Sequence, residues 1–182
     1  RDILFISDEV ICGFGRTGNM FGCQTFDLKP DIITVAKALT SAYLPMSGVM
    51  ISEGVYEAMQ IENDKIGIFA HGFTYSGHPV AAAVALETLA IYEERDIVGH
   101  VQSVMDRFQD GLGQFADHPL VGEVRGRGLV AALELVKDKT TKEPFPAADA
   151  VSTKVMDRAL DHGLITRAIG DCIAFSPPLI IT

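Results

Sequence analysis

Little in this chain points to a nucleic acid, a membrane or a disulfide scaffold. Basic residues are scarce: 15 Lys and Arg against 24 Asp and Glu leave a formal charge of -9 over 182 residues. That balance disfavours nucleic acid and acidic membrane surfaces, which need basic patches. No apolar run reaches the length of a transmembrane helix. The three cysteines, Cys12, Cys23 and Cys172, are odd in number and widely spaced, so they form neither a disulfide framework nor a metal spacing. A reducing cytoplasm is the expected compartment. The histidines follow no zinc pattern, and His71 and His78 are expected to hydrogen-bond around a tight loop rather than bind metal. There is no G-x-S-x-G elbow for a serine hydrolase, and no repeat or low-complexity tract. What remains is a partner of small-molecule size.

What the chain has is apolar sequence arranged for a sheet. With 48% hydrophobic residues and a mean hydropathy of +0.23, it can bury a sizeable core. Ile3-Leu4-Phe5-Ile6 runs into Asp8-Glu9, and Ile32-Ile33-Thr34-Val35-Ala36 runs into Lys37. Continuous apolar runs of this length read as strands covered on both faces, as in the parallel sheet of an α/β protein. In open α/β sheets the ligand lies beyond the carboxyl ends of the strands, so an acid and an amine would share one crevice.

That pair suits a cofactor that forms a Schiff base. A lysine amine is a nucleophile only when neutral, and burial among apolar neighbours favours the neutral form; Val35, Ala36, Ala38 and Leu39 flank Lys37. Pyridoxal 5'-phosphate (PLP) stores carbanion electrons in a pyridinium ring, and a carboxylate beside the ring nitrogen keeps it protonated. On the residues alone, either Asp8 or Glu9 can supply it.

One motif in the same stretch is a decoy. Gly13-Phe14-Gly15-Arg16-Thr17-Gly18 has the G-x-G-x-x-G spacing of a dinucleotide-binding turn. That reading needs a helix opening at the third glycine, yet Asn19 to Pro30 has no 3.6-residue apolar period, and the acidic pair ahead of it would repel a pyrophosphate. Arg16 is expected to be structural or at a dimer contact.

Farther along, Met46 to Ser52 reads as a strand, Pro79 to Tyr92 as a helix begun at proline, and Asp96 to Phe115 as an amphipathic helix. From about Asp117 come shorter strands at Val121 to Val124, Leu129 to Val136 and Cys172 to Phe175, with a helix from Ala148 to His162 stopped by Gly163. The change of character divides the chain at 114, into 1–114 and 115–182.

Several of these motifs, taken in order, resemble the class III (ω-type) PLP-dependent aminotransferases. They are Leu4-Phe5-Ile6-Ser7-Asp8-Glu9-Val10, the glycine loop Gly13 to Gly18, Pro30-Asp31-Ile32-Ile33-Thr34-Val35-Ala36-Lys37-Ala38-Leu39, Gly72-Phe73-Thr74-Tyr75-Ser76-Gly77-His78-Pro79, Val124-Arg125-Gly126-Arg127-Gly128-Leu129 and Ser176-Pro177-Pro178-Leu179. The resemblance implies an α/β chain of PLP fold type I: part of a large domain with a mostly parallel sheet, then part of a small α+β C-terminal domain. It implies that Lys37 forms the Schiff base with PLP, that Asp8 pairs with the pyridinium nitrogen, and that Val10, taken to lie two residues on along the same strand face, packs on the ring. Phe73 and Thr74 would reach the cofactor phosphate of a neighbouring subunit, so the active site would be shared within a homodimer.

Leu164-Ile165-Thr166-Arg167-Ala168-Ile169-Gly170-Asp171 resembles the branch that uses pyruvate as acceptor. Arg167 would then grip a substrate carboxylate bidentately and swing out for uncharged amines. The implied activity is ping-pong transfer of an amino group from an amine or ω-amino acid to a keto acid. An aminomutase or decarboxylase on the same residues, or a non-catalytic remnant, are the alternatives. Both ends of the sequence read as cut from a longer chain, so these residues are expected to form only part of a PLP cradle.

Overall fold

The apolar runs fold into strands shorter than the runs themselves. In the computed structural model, which describes residues 3–182, the first sheet is built from β1 (Ile6–Asp8), β2 (Ile32–Val35) and β3 (Gly48–Ile51), in the order β1-β2-β3. β1 and β2 are parallel, with Ile6 opposite Ile32 and Asp8 opposite Thr34. β3 runs antiparallel to β2, so the three described strands include one parallel and one antiparallel pair.

Ile3, Leu4, Phe5 and Ile6 are exposed, contrary to the double-sided burial their composition predicts. Within the chain β1 is paired on one edge only, to β2. Val35 is buried, whereas Ile32 and Ile33 are half-buried.

Between the strands lie a one-turn helix, α1 (Gly22–Thr25), and a 3-10 turn at Lys37–Thr40. No helix opens at Gly18, which agrees with rejection of the dinucleotide reading. The helix α2 (Glu53–Ile66) buries none of its residues. The helix α3 (Pro79–Glu94) starts with Pro79 in its first turn, a position that needs no backbone N–H. Its buried residues Ala81, Ala85, Thr88 and Tyr92 follow helical spacing and define one inward face. The small side chains let α3 pack against the Lys37–Thr40 turn.

Compact units end and begin at Val98 and Gly99, earlier than the division at 114 read from the sequence. The helix α4 (Ile97–Gly113) starts at that junction. Its later turns bond into the second unit, where Gln109 Nε2 donates to the Gly128 carbonyl at 2.7 Å. Amphipathic spacing marked this helix without showing which strands it would meet.

The second unit is an antiparallel sheet of β4 (Val121–Arg127), β5 (Val130–Leu135), β6 (Arg167–Ile169) and β7 (Cys172–Phe175), ordered β4-β5-β7-β6. Ala131, Leu133 and Leu135 alternate inward along β5, the period-2 pattern of a half-buried strand. Val121, Leu135 and Ile173 form the core, with Val124, Phe145, Val151, Ala168 and Phe175 against it. The helix α5 (Val151–Asp161) packs on β6 and β7. Among the described residues no helix is long and apolar enough to cross a membrane.

Candidate active site

Because β1 and β2 are parallel, both chains leave the sheet at the same edge. Asp8 is the last residue of β1 and pairs with Thr34; Lys37 follows the end of β2 by two residues. An acid and an amine far apart in sequence are thereby delivered to the same end of the sheet, the end at which α/β sheets bind ligands.

The acidic pair divides its work. Glu9 is only 1% exposed, and its carboxylate accepts hydrogen bonds from Gly22 N–H and Cys23 N–H, each at 2.7 Å, and from the Ser7 hydroxyl at 3.0 Å. A carboxylate satisfied by three donors is committed to holding the start of α1. Only glycine fits at 22, since a Cβ there would stand 2.9 Å from Cys12 Cβ and 3.0 Å from Glu9 Oε2.

Asp8 is exposed. Its Oδ1 accepts from Val10 N–H at 3.0 Å and from the Thr34 hydroxyl at 3.2 Å, while Oδ2 has no partner among the described residues. Of the two acids left open by the sequence, Asp8 is the one with an oxygen to offer a ligand.

Burial first, and then the Glu9 charge, push the Cys12 and Cys23 thiols above the ordinary range. A raised pKa keeps both thiols protonated and inert as nucleophiles near neutrality.

Lys37 adopts a left-handed backbone with φ +45°, which costs a non-glycine residue about 1–2 kcal/mol. The bonds around it hold it there. Ala42 N–H donates to the Lys37 carbonyl at 3.2 Å, Leu39 N–H to Ala36 at 3.0 Å, and the Thr40 hydroxyl to the Leu44 carbonyl at 2.6 Å. Strain kept by surrounding structure is a feature of functional sites.

The side chain is exposed, which corrects the expectation that its apolar neighbours enclose it. Val35 and Thr40 are buried and Ala36, Ala38 and Leu39 half-buried, but the left-handed kink takes Lys37 out of the strand's alternation. Its amine has no hydrogen bond or ion pair among the described residues.

Val10 needs a similar correction. β1 ends at Asp8 and Val10 lies in the turn that follows, so the two residues are not related by strand period. The link between them is the Val10 N–H to Asp8 Oδ1 bond, an Asx-type turn.

Phe73 and Thr74 lie on an exposed loop. Ser76 N–H donates to the Phe73 carbonyl at 2.9 Å and Phe73 N–H to the Ser76 hydroxyl at 3.1 Å, which closes a turn and leaves the Phe73 ring 78% exposed. No hydrogen bond or ring contact joins them to Asp8, Val10 or Lys37 among the described residues. His71 meets Phe69 and Phe73 edge-on, with ring centroids 5.9 and 5.8 Å apart, and His78 lies near Tyr75. Among the described residues the two rings meet aromatic neighbours, while the His78 carbonyl accepts Ala82 N–H at 3.0 Å as α3 begins.

Arg167 opens β6 in the second unit and is exposed, its guanidinium without a partner among the described residues. Arg16 lies in the glycine loop, where burial draws its pKa down while Tyr92 opposes the shift. Phe14 of that loop packs edge-on against Phe21 and Tyr92, at centroid distances of 5.7 and 6.4 Å. The loop is thus a packed structural element.

Thr34 and the clamp role of Glu9 were not anticipated from sequence. A lone hydroxyl on the otherwise apolar β2 was the available signal for Thr34; nothing separated Glu9 from Asp8.

An acid and a lysine at the same end of two parallel strands are the residue types a Schiff-base site uses, and comparison with known proteins gives the family. The family model Aminotransferase class-III matches residues 1–182, and the chain belongs to that family.

It is 49% identical over 181 residues to gamma aminobutyrate transaminase 3, chloroplastic, of Solanum lycopersicum, covering 100% of this chain and 35% of that protein. It is 48% identical over 182 residues to vanillin aminotransferase of Capsicum annuum, covering 100% of this chain and 40% of the relative. Among solved structures, a transaminase with L-Ala superposes with a TM-score of 0.95 at 55% identity, over 100% of this chain and 43% of the other. The omega transaminase from Pseudomonas jessenii in complex with PMP gives 0.94 at 51% identity, over 100% and 40%. The chain therefore spans well under half the length of these relatives.

Proposed function

We propose that the full-length protein is a PLP-dependent transaminase that moves an amino group from an amine or ω-amino acid to a keto acid, with pyruvate as the acceptor. The observation that carries this reading is the parallel pairing of β1 with β2, which sets Asp8 and Lys37 at one edge. The residues present fit the cofactor. Asp8 keeps one carboxylate oxygen without a protein partner, and Lys37 presents an unpaired amine from a backbone held in a strained form.

PLP, when bound, supplies an aldehyde that condenses with amines and a ring that takes up the electrons of a broken C–H bond. Lys37 would hold it covalently and, once released, carry a proton at Nζ as general base and then acid. Asp8 would keep the ring nitrogen protonated, and Val10 would pack beside it. Phe73 and Thr74 would serve the phosphate of a partner subunit in a homodimer. That reading is supported by the exposure of their loop and by α2, which buries none of its residues within the chain. Arg167 would receive the substrate carboxylate. Three unpaired cysteines fit a reducing cytoplasm as the place of action.

The test is borohydride reduction of the full-length protein incubated with PLP, followed by peptide mass mapping and an amine-plus-pyruvate assay. A pyridoxyl group on Lys37 together with alanine formation is the expected result. A folded protein with no label on Lys37 would overturn the proposal, and label without amino transfer would shift it to another reaction on the same residues.

A further inference from the structure

The Asp8 carboxylate is held asymmetrically. Both hydrogen bonds it accepts fall on Oδ1: one from the Val10 amide at 3.0 Å, the other from the Thr34 hydroxyl at 3.2 Å. The first is local, closed within two residues. The second crosses from the neighbouring strand and has no structural purpose that a valine at 34 would not serve, because β2 is otherwise apolar and its strand register rests on backbone bonds. Thr34 is also fixed from the other side, its carbonyl accepting Glu9 N–H at 2.9 Å.

The hydroxyl is thus carried on backbone that cannot drift relative to the acidic pair. A short carboxylate tied at one oxygen by two donors, one in the turn after β1 and one on β2, loses the rotation that would otherwise exchange its oxygens, and Oδ2 is left without a partner among the described residues.

We propose that Thr34 is a positioning residue, whose hydroxyl fixes the Asp8 carboxylate so that one defined oxygen is offered to the cofactor. This deepens the transaminase reading and rests on it. The role assigned to Thr34 runs only through its bond to Asp8. A fixed acceptor spares the ordering cost of that side chain at the moment of binding, so the effect appears as cofactor affinity rather than as fold stability.

The experiment measures PLP dissociation constants of the full-length protein by absorption titration, with unfolding midpoints of the cofactor-free protein alongside. Four forms are compared with wild type: Thr34→Val, Thr34→Ser, Asp8→Ala and the Asp8→Ala, Thr34→Val double variant. Valine keeps the β-branched shape and the strand propensity while removing the donor.

Thr34→Val should weaken PLP binding about tenfold, the scale of one hydrogen bond to a charged group, with an unchanged unfolding midpoint. Thr34→Ser should restore binding to within about twofold. In the Asp8→Ala background, which has no acceptor for the hydroxyl, the valine should add nothing further, since residues that act as a unit are non-additive. The pH at which the absorption bands of the bound cofactor interconvert should move in Thr34→Val and return in Thr34→Ser.

Unaltered affinity in Thr34→Val, or the same tenfold loss with and without Asp8, would overturn the inference while leaving the transaminase reading intact. Wild-type protein that takes up no PLP on Lys37 would overturn both. If the valine disturbs folding, Thr34→Ala provides a second hydroxyl-free form judged by the same non-additivity.

Discussion

The Glu9 carboxylate lies 2.7 Å from the amide nitrogens of both Gly22 and Cys23, so a single buried acid joins the end of β1 to the beginning of α1. The segment between them includes the glycine loop, and it leaves the sheet and returns to it within hydrogen-bond reach of one side chain. The acid before it, Asp8, takes no part in that clamp; its bonds, to Val10 and Thr34, both fall on Oδ1.

Replacing Glu9 should consequently cost stability and not chemistry alone. Glu9→Gln keeps the volume but turns one acceptor into a donor facing a backbone N–H. With buried donors left unsatisfied, the loss should be about 3 kcal/mol. Urea unfolding of the full-length protein without cofactor provides the measurement. A change under about 0.5 kcal/mol, the ordinary range for a surface substitution, would mean that α1 does not depend on this clamp.

Thiol chemistry reports on the same clamp. Burial and the neighbouring Glu9 charge both raise the Cys23 pKa, so its thiolate appears only at a pH above the ordinary thiol range. Iodoacetamide labelling followed by mass spectrometry should therefore find Cys23 slow at pH 7, with a rate that climbs as pH rises. Glu9→Gln should shift that climb to lower pH, since a negative neighbour has been removed. A Cys23 rate equal to that of an unhindered model thiol at pH 7 would contradict the environment described.

At Lys37 the structure separates strain from chemistry. Lys37→Ala and Lys37→Gly should both abolish amino transfer, because neither has an amine. The glycine form should be the more stable of the two by about 1 kcal/mol, since φ +45° is penalised in alanine and free in glycine. Denaturant midpoints of the two variants make the comparison. Alanine equal to glycine would show that the left-handed conformation is not retained, and turnover surviving in either variant would remove Lys37 from the mechanism.

The second unit offers a paired test of packing. A Cβ at Gly126 would come within 2.6 Å of the Val130 carbonyl oxygen and of Ala131 Cβ, whereas one at Gly111 meets nothing within 4 Å. Gly126→Ala should destabilise by about 1–3 kcal/mol, because a backbone carbonyl cannot step aside. Gly111→Ala, inside α4, should stabilise by about 0.5–1 kcal/mol. Thermal melts of both against wild type decide the matter; a neutral Gly126→Ala would mean that β4 and β5 separate more readily than their hydrogen bonds imply.

The three-residue β6 was too short to be read from sequence. The other three of the four strands of the second unit were legible because alternation and length agreed, and Cys172–Phe175 is the strand read from sequence, residue for residue. α2 was not, since Glu53–Ile66 scatters Val55, Tyr56, Met59, Ile61 and Ile66 without a buried stripe. The placement of Asp8 and Lys37 at the same end of two parallel strands was legible from two apolar runs ending in polar residues. Lys37's exposure and Val10's place in a turn were not. Both depend on where a strand stops, and composition extends a strand beyond the last ladder bond. The division of labour between Asp8 and Glu9 lay beyond sequence altogether, because it is decided by a contact 13 residues away in the chain.

Arg167 carries the prediction about substrate choice. It stands exposed at the first residue of β6, opposite Ala174 on β7. Thr166 fixes the approach to the strand by donating its hydroxyl to the Ala174 carbonyl at 2.7 Å. A guanidinium without a partner among the described residues, on a backbone pinned beside it, can grip a carboxylate or yield without disturbing the sheet. Arg167→Ala should raise KM for carboxylate-bearing donors and for pyruvate by about tenfold or more, the scale of a lost charge-assisted pair. Half-reactions with simple uncharged amines should stay within about twofold. Steady-state kinetics on one donor of each kind, with the amine half-reaction followed by absorption in the absence of keto acid, separate the two effects. Equal losses for charged and uncharged donors would assign Arg167 to the structure of β6 and exclude it from carboxylate recognition.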